Sequence, residues 1–164
     1  MAIDFSQVKT ITIPEGSVTK ITDSTGNTLW QGVGWHTIWE GNVTNWDSNT
    51  RITLSNLTGI VKLRVTWSFS ISGDDSSYTT TYFNNNGYNP TTDKPDSPFQ
   101  FDLNADSYRG YIIGVRRYKG TTGMGCYLEW YNSSRYFNLN SLYGGGGTGN
   151  VRVSMTITKI EQYY

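Results

Sequence analysis

The chain has 164 residues with thirteen basic and thirteen acidic side chains, so its formal net charge is zero. Nothing in that balance suggests the concentrated basic face needed to hold phosphate backbones, and no apolar run approaches the ~20 residues of a membrane-spanning helix. Alanine occurs only at Ala2 and Ala105 while β-branched and aromatic residues abound, a composition that favours strands over helices.

In chain order, Val8–Ile13, Ser17–Thr22 and Thr28–Trp30 are three short β-rich runs. Pro14-Glu15-Gly16 and Asp23–Asn27 separate them as turns, which predicts a small β meander. Gly32-Val33-Gly34 interrupts the pattern and marks a boundary. Beyond it come Trp35–Gly41 and Arg51–Ser55, then Ile60–Ser72. In that last run Val61, Leu63, Val65, Trp67, Phe69 and Ile71 alternate with Lys62, Arg64, Thr66, Ser68 and Ser70. Such period-two alternation is the signature of a half-buried antiparallel strand.

Residues 73–98 are polar and turn-rich, with one short strand expected at Tyr78–Phe83. Strand character returns at Phe99–Leu103, Tyr108–Arg117, Gly125–Tyr131 and Arg135–Leu139. After the glycine tract Gly144–Gly147, Val151, Val153, Met155 and Ile157 alternate again, and Lys159-Ile160 breaks the parity, which predicts a bulge near Thr158. The expected fold is all-β: an antiparallel β-sandwich or jelly roll over residues 35–164, preceded by the meander over 1–31. The strands 60–72 and 151–160, being the most regular, are expected to be central.

Catalysis requires titratable groups held beside partners, and few are available. His36 is the sole histidine and Cys126 the sole cysteine. Cys126 alternates with Leu128 and Trp130 and should face the core, where a thiol is inert. Glu15, Glu40, Glu129 and Glu161 fall in separate segments and are expected to be solvated rather than paired as in a glycosidase. Gly144, Gly146 and Gly149 fit a dinucleotide-binding spacing, but no buried strand precedes them and no helix follows. Asp74, Asp75, Asp93, Asp96, Asp102 and Asp106 lie close enough in sequence to supply calcium ligands, although no EF-hand spacing is present. No catalytic residue, cofactor or metal ligand is therefore assigned.

What remains is the aromatic and amide content of the central loop. Tyr78, Tyr82, Phe83, Asn85 and Tyr88 combine rigid rings with adaptable hydrogen bonding, the chemistry of a recognition surface for protein or sugar. The same rings also suit contacts between subunits.

Two stretches resemble bacteriophage virion structural proteins. Ile13-Pro14-Glu15-Gly16, Val18, Ile21, Gly26 and Leu29-Trp30 resemble a short module found at the start of phage structural proteins of Gram-positive bacteria. Trp35-x-x-x-Trp39-x-Gly41, followed by Ile52-x-Leu54-Ser55 and a long apolar strand, resembles the opening of tail-fibre and baseplate β-sandwiches. The closing run Thr156–Ile160 is similar to their last strand. The resemblance implies a surface appendage that attaches through Ile11, Ile13, Val18, Ile21, Leu29 and Trp30. It also implies a homo-oligomer, a trimer by preference, bound to other virion subunits and possessing a face for host glycan or protein. Coiled-coil heptads and collagen-like repeats are missing, so a capsid decoration or head fibre stands beside the tail fibre. A non-catalytic bacterial carbohydrate-binding module is the alternative. Met1–Phe5 shows no signal-peptide pattern, which fits assembly in the host cytoplasm, with no membrane insertion and no nucleic-acid partner.

Overall fold

The computed structural model describes residues 20–45, 50–72, 78–84, 90–119, 122–143 and 152–164. The chain divides between Gly34 and Trp35 into two compact units, with Tyr164 belonging to the first. In the first unit, β1 (Lys20–Thr22) and β2 (Thr28–Gln31) form an antiparallel hairpin that places Ile21 opposite Trp30. The turn is built by Asp23. One carboxylate oxygen accepts the backbone N–H groups of Thr25 and Asn27 at 2.9 and 2.8 Å, and the other accepts Asn27 Nδ2 at 2.9 Å. These hydrogen bonds, that of the Thr25 hydroxyl foremost, hold the Asp23 carboxyl down at about 2. Gly26 takes a positive φ of 90°, which a side chain would resist. The first strand expected for the meander, with Ile11 and Ile13, lies outside the described residues, as do Val18 at the start of the second and the glycine tract 144–147.

The second unit is a sandwich of antiparallel sheets. Its strands are β3 (Trp35–Thr44), β4 (Arg51–Thr53), β5 (Ile60–Ser72), β6 (Thr79–Asn84), β7 (Pro90–Thr91) and β8 (Phe99–Asn104). They continue with β9 (Arg109–Lys119), β10 (Thr122–Tyr131), β11 (Tyr136–Tyr143) and β12 (Arg152–Tyr163). One sheet has the order β3-β12-β5-β8 and the other β4-β11-β10-β9-β6-β7. Through β3, β4, β5 and β6 the chain changes sheet at every step, and the first and last strands of the unit lie side by side. Those are the connections of a jelly roll, here widened by the hairpin β9–β10 inserted in the six-stranded sheet.

Each sheet buries one face because its strands alternate. Val61, Leu63, Val65 and Trp67 of β5 and Val153, Met155, Ile157 and Ile160 of β12 meet Ile113, Val115, Cys126, Leu128, Trp130 and Phe137 of the opposite sheet. The strands β5 and β12 are central to their sheet, as expected, and the ladder shifts register at Thr158, where the bulge was predicted. Beyond the end of β3, Asn45 ties the sheets together. Its Oδ1 accepts Met155 N–H at 2.7 Å, and its Nδ2 donates to Ser141 Oγ at 3.0 Å.

Three connections are fastened at one corner by Asp106. Its carboxylate accepts Gly59 N–H at 2.8 Å and pairs with Arg135 at 2.7 Å, while its backbone carbonyl accepts Asn132 Nδ2 at 2.9 Å. Arg135 sits at φ 51°, turning the chain from β10 into β11. The fastening fixes the β8–β9 connection and therefore the position of Tyr108, two residues on.

Candidate functional site: a tyrosine field around a buried glutamate

The side chains with chemistry beyond packing collect on the outward face of the six-stranded sheet. In β10 the inward Leu128 and Trp130 leave Tyr127, Glu129 and Tyr131 pointing out. In β11 the inward Phe137 and Leu139 leave Tyr136, Asn138 and Asn140 beside them. A bulge in β9 completes the set. Leu128 pairs with Ile113 but Glu129 pairs with Tyr111, so Ile112 is the extra residue. Both isoleucines turn into the core, and Tyr111 moves to the outer face that strict alternation would deny it.

Glu129 is the centre of this field and only 6% exposed. It accepts the hydroxyl of Tyr108, the hydroxyl of Tyr131 at 3.0 Å and Nδ2 of Asn140 at 2.5 Å. Asn138 Nδ2 in turn donates to Asn140 Oδ1. The hydrogen bond to Glu129 pushes the Tyr108 hydroxyl above its ordinary value of 10.0, because a phenolate beside a carboxylate is unfavourable. Burial, followed by the same carboxylate, raises Tyr131 as well. Both phenols therefore stay protonated and donate inward.

The rings form two groups. Tyr131 and Tyr136 are stacked with centroids 5.0 Å apart, Tyr108 meets Tyr131 edge-on at 5.7 Å, and the Arg51 guanidinium lies 4.6 Å over Tyr136. Nearby, Tyr127 and Tyr111 are 3.8 Å apart, with Phe83 at 6.3 Å from Tyr111. Gly114 makes room for this second group, since a Cβ there would sit 2.8 Å from the Tyr127 Cβ. Tyr108 is 58% exposed, yet its hydroxyl is tied down.

The predicted recognition residues are not gathered in one place. Tyr78 and Tyr82 pack against the core, on the face they share with Val115 and Arg117. Phe83 points outward to Tyr111, and Asn85 and Tyr88 lie outside the described residues. The neighbouring cleft of about 400 Å³ is lined by Asn84, Asp93, Lys94 and Gln100 among others, and Lys94 Nζ is held 5.5 Å over the Trp67 ring. Of the predicted attachment residues, Ile21 is in β1, and Leu29 and Trp30 take their backbone places in β2.

The expectation that the glutamates are solvated fails at two of them. Glu129 is covered by tyrosines. Glu161, 5% exposed, pairs with Arg64 through two bonds of 2.6 and 2.8 Å, which hold its carboxyl below the ordinary range. These two buried carboxylates face outward from opposite sheets, so they cannot flank one bond as a glycosidase couple does. Cys126 is buried in the core, and burial pushes its thiol far up. It pairs with Ser141, which bonds Asn45, whereas His36 stands at the other end of β3. At roughly 3.3 Å per residue that separates the two by on the order of 30 Å, too far for a dyad. Among the described residues no three His, Cys, Asp or Glu side chains gather as a metal site, and no helix is long and apolar enough to cross a membrane.

Sequence reasoning looked for recognition in the loops and missed the strands. The signal was present in Tyr127-x-Glu129-x-Tyr131 and Tyr136-x-Asn138-x-Asn140, two outward alternations opposite strongly apolar inward ones. No family model, curated protein or solved structure matches the chain.

Proposed function

We propose that this chain is a surface-exposed structural protein of a bacteriophage virion that acts through contact and not through catalysis. The first unit attaches it to other virion subunits, and the jelly roll presents a face to the host or to a neighbouring subunit. The observation that supports the contact role is the Glu129 tyrosine field: rings, amides and guanidiniums are spread over an open sheet face, and its carboxylate is covered by phenols that stay protonated. The virion context rests on the sequence resemblance of Ile13–Trp30 and Trp35–Phe69 to phage modules. A tail-fibre or baseplate appendage, a head fibre and a capsid decoration protein all fit, each as a homo-oligomer, with a trimer preferred.

The test is deletion of residues 1–31. The shortened chain should stay folded and soluble but no longer enter particles; normal incorporation would remove the attachment role. A second reading, a carbohydrate-binding module with no virion context, is favoured by the tyrosine and asparagine content of the same face. Labelling purified particles with an antibody to the jelly roll separates the two, because the second reading requires unlabelled particles.

A further inference from the structure

The outward face around Glu129 has a hydrogen-bonding character that can be counted. Tyr108 and Tyr131 direct their O–H groups at the carboxylate, so each phenolic oxygen has only acceptor capacity left for a ligand. Whatever binds there must bring donors. Tyr108 adds an exposed ring whose orientation is set at its hydroxyl by Glu129 and at its edge by Tyr131. A ring already immobilised loses little freedom on contact, which makes it a platform for an apolar ligand face.

The charges on the face are unequal. Glu129 is buried beneath the tyrosines and satisfied by neutral donors. Arg51 on β4 and Arg116 on β9 are both exposed, and among the described residues neither forms an ion pair. Arg51 lies in the row of Asn138 and Glu129, while Arg116 pairs with Gly125, four residues from Glu129. With strands about 4.8 Å apart and about 3.3 Å per residue, the two guanidiniums stand on the order of 20 Å apart with the tyrosines between them. The accessible charge is thus positive at both ends of an aromatic centre.

A second copy of this chain does not suit the face. The core of a homodimer interface is apolar, whereas no Leu, Ile, Val or Met side chain described on β9, β10 or β11 points outward. A cationic ligand would meet two guanidiniums.

We propose that this face binds an acidic glycan: the Tyr108 ring takes the C–H face of a sugar, the phenolic oxygens accept its hydroxyls, and Arg51 and Arg116 take its acid groups. The inference rests on the reading of the jelly roll as a contact module, and it names the ligand class for that contact. Glu129 serves as a positioning residue, fixing the phenols without touching the sugar.

The test is calorimetric titration of the full chain with four probes: oligogalacturonate, hyaluronan hexamer, cellohexaose and a single-stranded oligothymidylate. At least one acidic oligosaccharide should bind, more weakly as salt rises and more tightly than cellohexaose. Tyr108→Ala should weaken it about tenfold, and Arg51→Gln or Arg116→Gln about three- to tenfold with a shallower salt dependence. Tyr108→Ala gives up one donor to Glu129, so its urea midpoint should fall only slightly, and an unchanged urea slope is the control for folding. Failure of both acidic probes to bind overturns the proposal. So does equal binding of cellohexaose, tighter binding of the oligothymidylate, or an affinity untouched by Tyr108→Ala. A sedimentation-detected oligomer that dissociates in Tyr108→Ala also overturns it, since the face would then belong to a subunit contact. Particle incorporation of the same variants is read separately and should be unchanged, so loss of the glycan and loss of the virion reading are distinguishable.

Discussion

Replacing Glu129 asks whether the carboxylate holds the tyrosines or merely shares their space. In Glu129→Leu three donors lose their acceptor. A buried hydrogen bond to a charged group contributes about 1.5–3 kcal/mol, but Tyr108 is 58% exposed and Tyr131 and Asn140 are half-buried, so water can reach all three. The loss then falls to about 0.5–1 kcal/mol for each donor, or ~2 kcal/mol together. Against this, the variant no longer buries a carboxylate, a cost of several kcal/mol that the native hydrogen bonds have to offset. Net stability should therefore change by less than about 2 kcal/mol in a urea titration.

Ring order should change far more. The Tyr108 hydroxyl is raised above 10.0 chiefly by its hydrogen bond to Glu129, so in Glu129→Leu its midpoint should fall back toward the ordinary value. Tyr131, raised mainly by burial, should move less. Carbon-13 NMR of the tyrosine Cζ atoms reads both midpoints and reports the mobility of each ring. A Tyr108 midpoint that stays at its wild-type position, or a stability loss beyond about 4 kcal/mol, would refute the picture of a positioning carboxylate held by solvent-accessible donors.

Three further outcomes are expected. Asn45→Ala strands the buried Met155 amide and removes the bond to Ser141, so it should cost about 2–3 kcal/mol, read as a fall in the urea midpoint at constant slope; less than 1 kcal/mol would mean that the two sheets need no polar tie there. Gly114→Ala places a Cβ 2.8 Å from the Cys126 carbonyl oxygen, a backbone atom that cannot step aside, so a loss of about 1–3 kcal/mol is expected, along with altered near-ultraviolet dichroism of Tyr127 and Tyr111. Glu161 is held below its ordinary value of 4.5 by Arg64, with Lys159 assisting, so its contribution is present above that value and disappears as pH falls through the lower folded one; the acid-side decline in stability should flatten in Glu161→Gln, and an unchanged decline would locate the acid sensitivity elsewhere.

Much of the fold was legible because its signals are local. The alternation in Ile60–Ser72 needs only the strand's own residues, and Asp23–Asn27 carries its turn in its own hydrogen bonds. The parity break at Lys159-Ile160 exposed the bulge for the same reason. The order of strands was not legible, because the neighbours β4 and β11, or β5 and β12, are decided by packing across scores of residues. The site was hidden more deeply. Glu129 reads as a solvent-face residue, but Tyr131 and Asn140 flank it and a tyrosine from the β8–β9 connection, held by the Asp106 corner, arrives over it. Tyr111 reads as inward until the extra residue Ile112 shifts the register. In Tyr78–Phe83 the short strand was expected, but its rings were expected on display; strand alternation carries Tyr78 and Tyr82 to the core side and leaves Phe83 outside.

Arg64 on one outward face of the jelly roll and Arg51 and Arg116 on the other are partnered differently. On the four-stranded sheet Arg64 is gripped at both ends of its fork by Glu161 and lies 4.5 Å over the Trp35 ring, so its charge and its flat face are both occupied from within the molecule. Thr66, Ser68 and Ser70 continue its row along the strand, while Trp35, Tyr163 and Lys62 pack beside it. On the six-stranded sheet the carboxylate is satisfied by phenols and an amide. The guanidiniums of Arg51 and Arg116 are therefore left without a carboxylate among the described residues. A protein selected for stability alone has little reason to bury an acid under tyrosine hydroxyls while arginines stand exposed on the same face, because pairing them directly would satisfy both. Keeping them apart retains an aromatic platform with positive ends, which is the arrangement the proposed acidic-glycan contact requires.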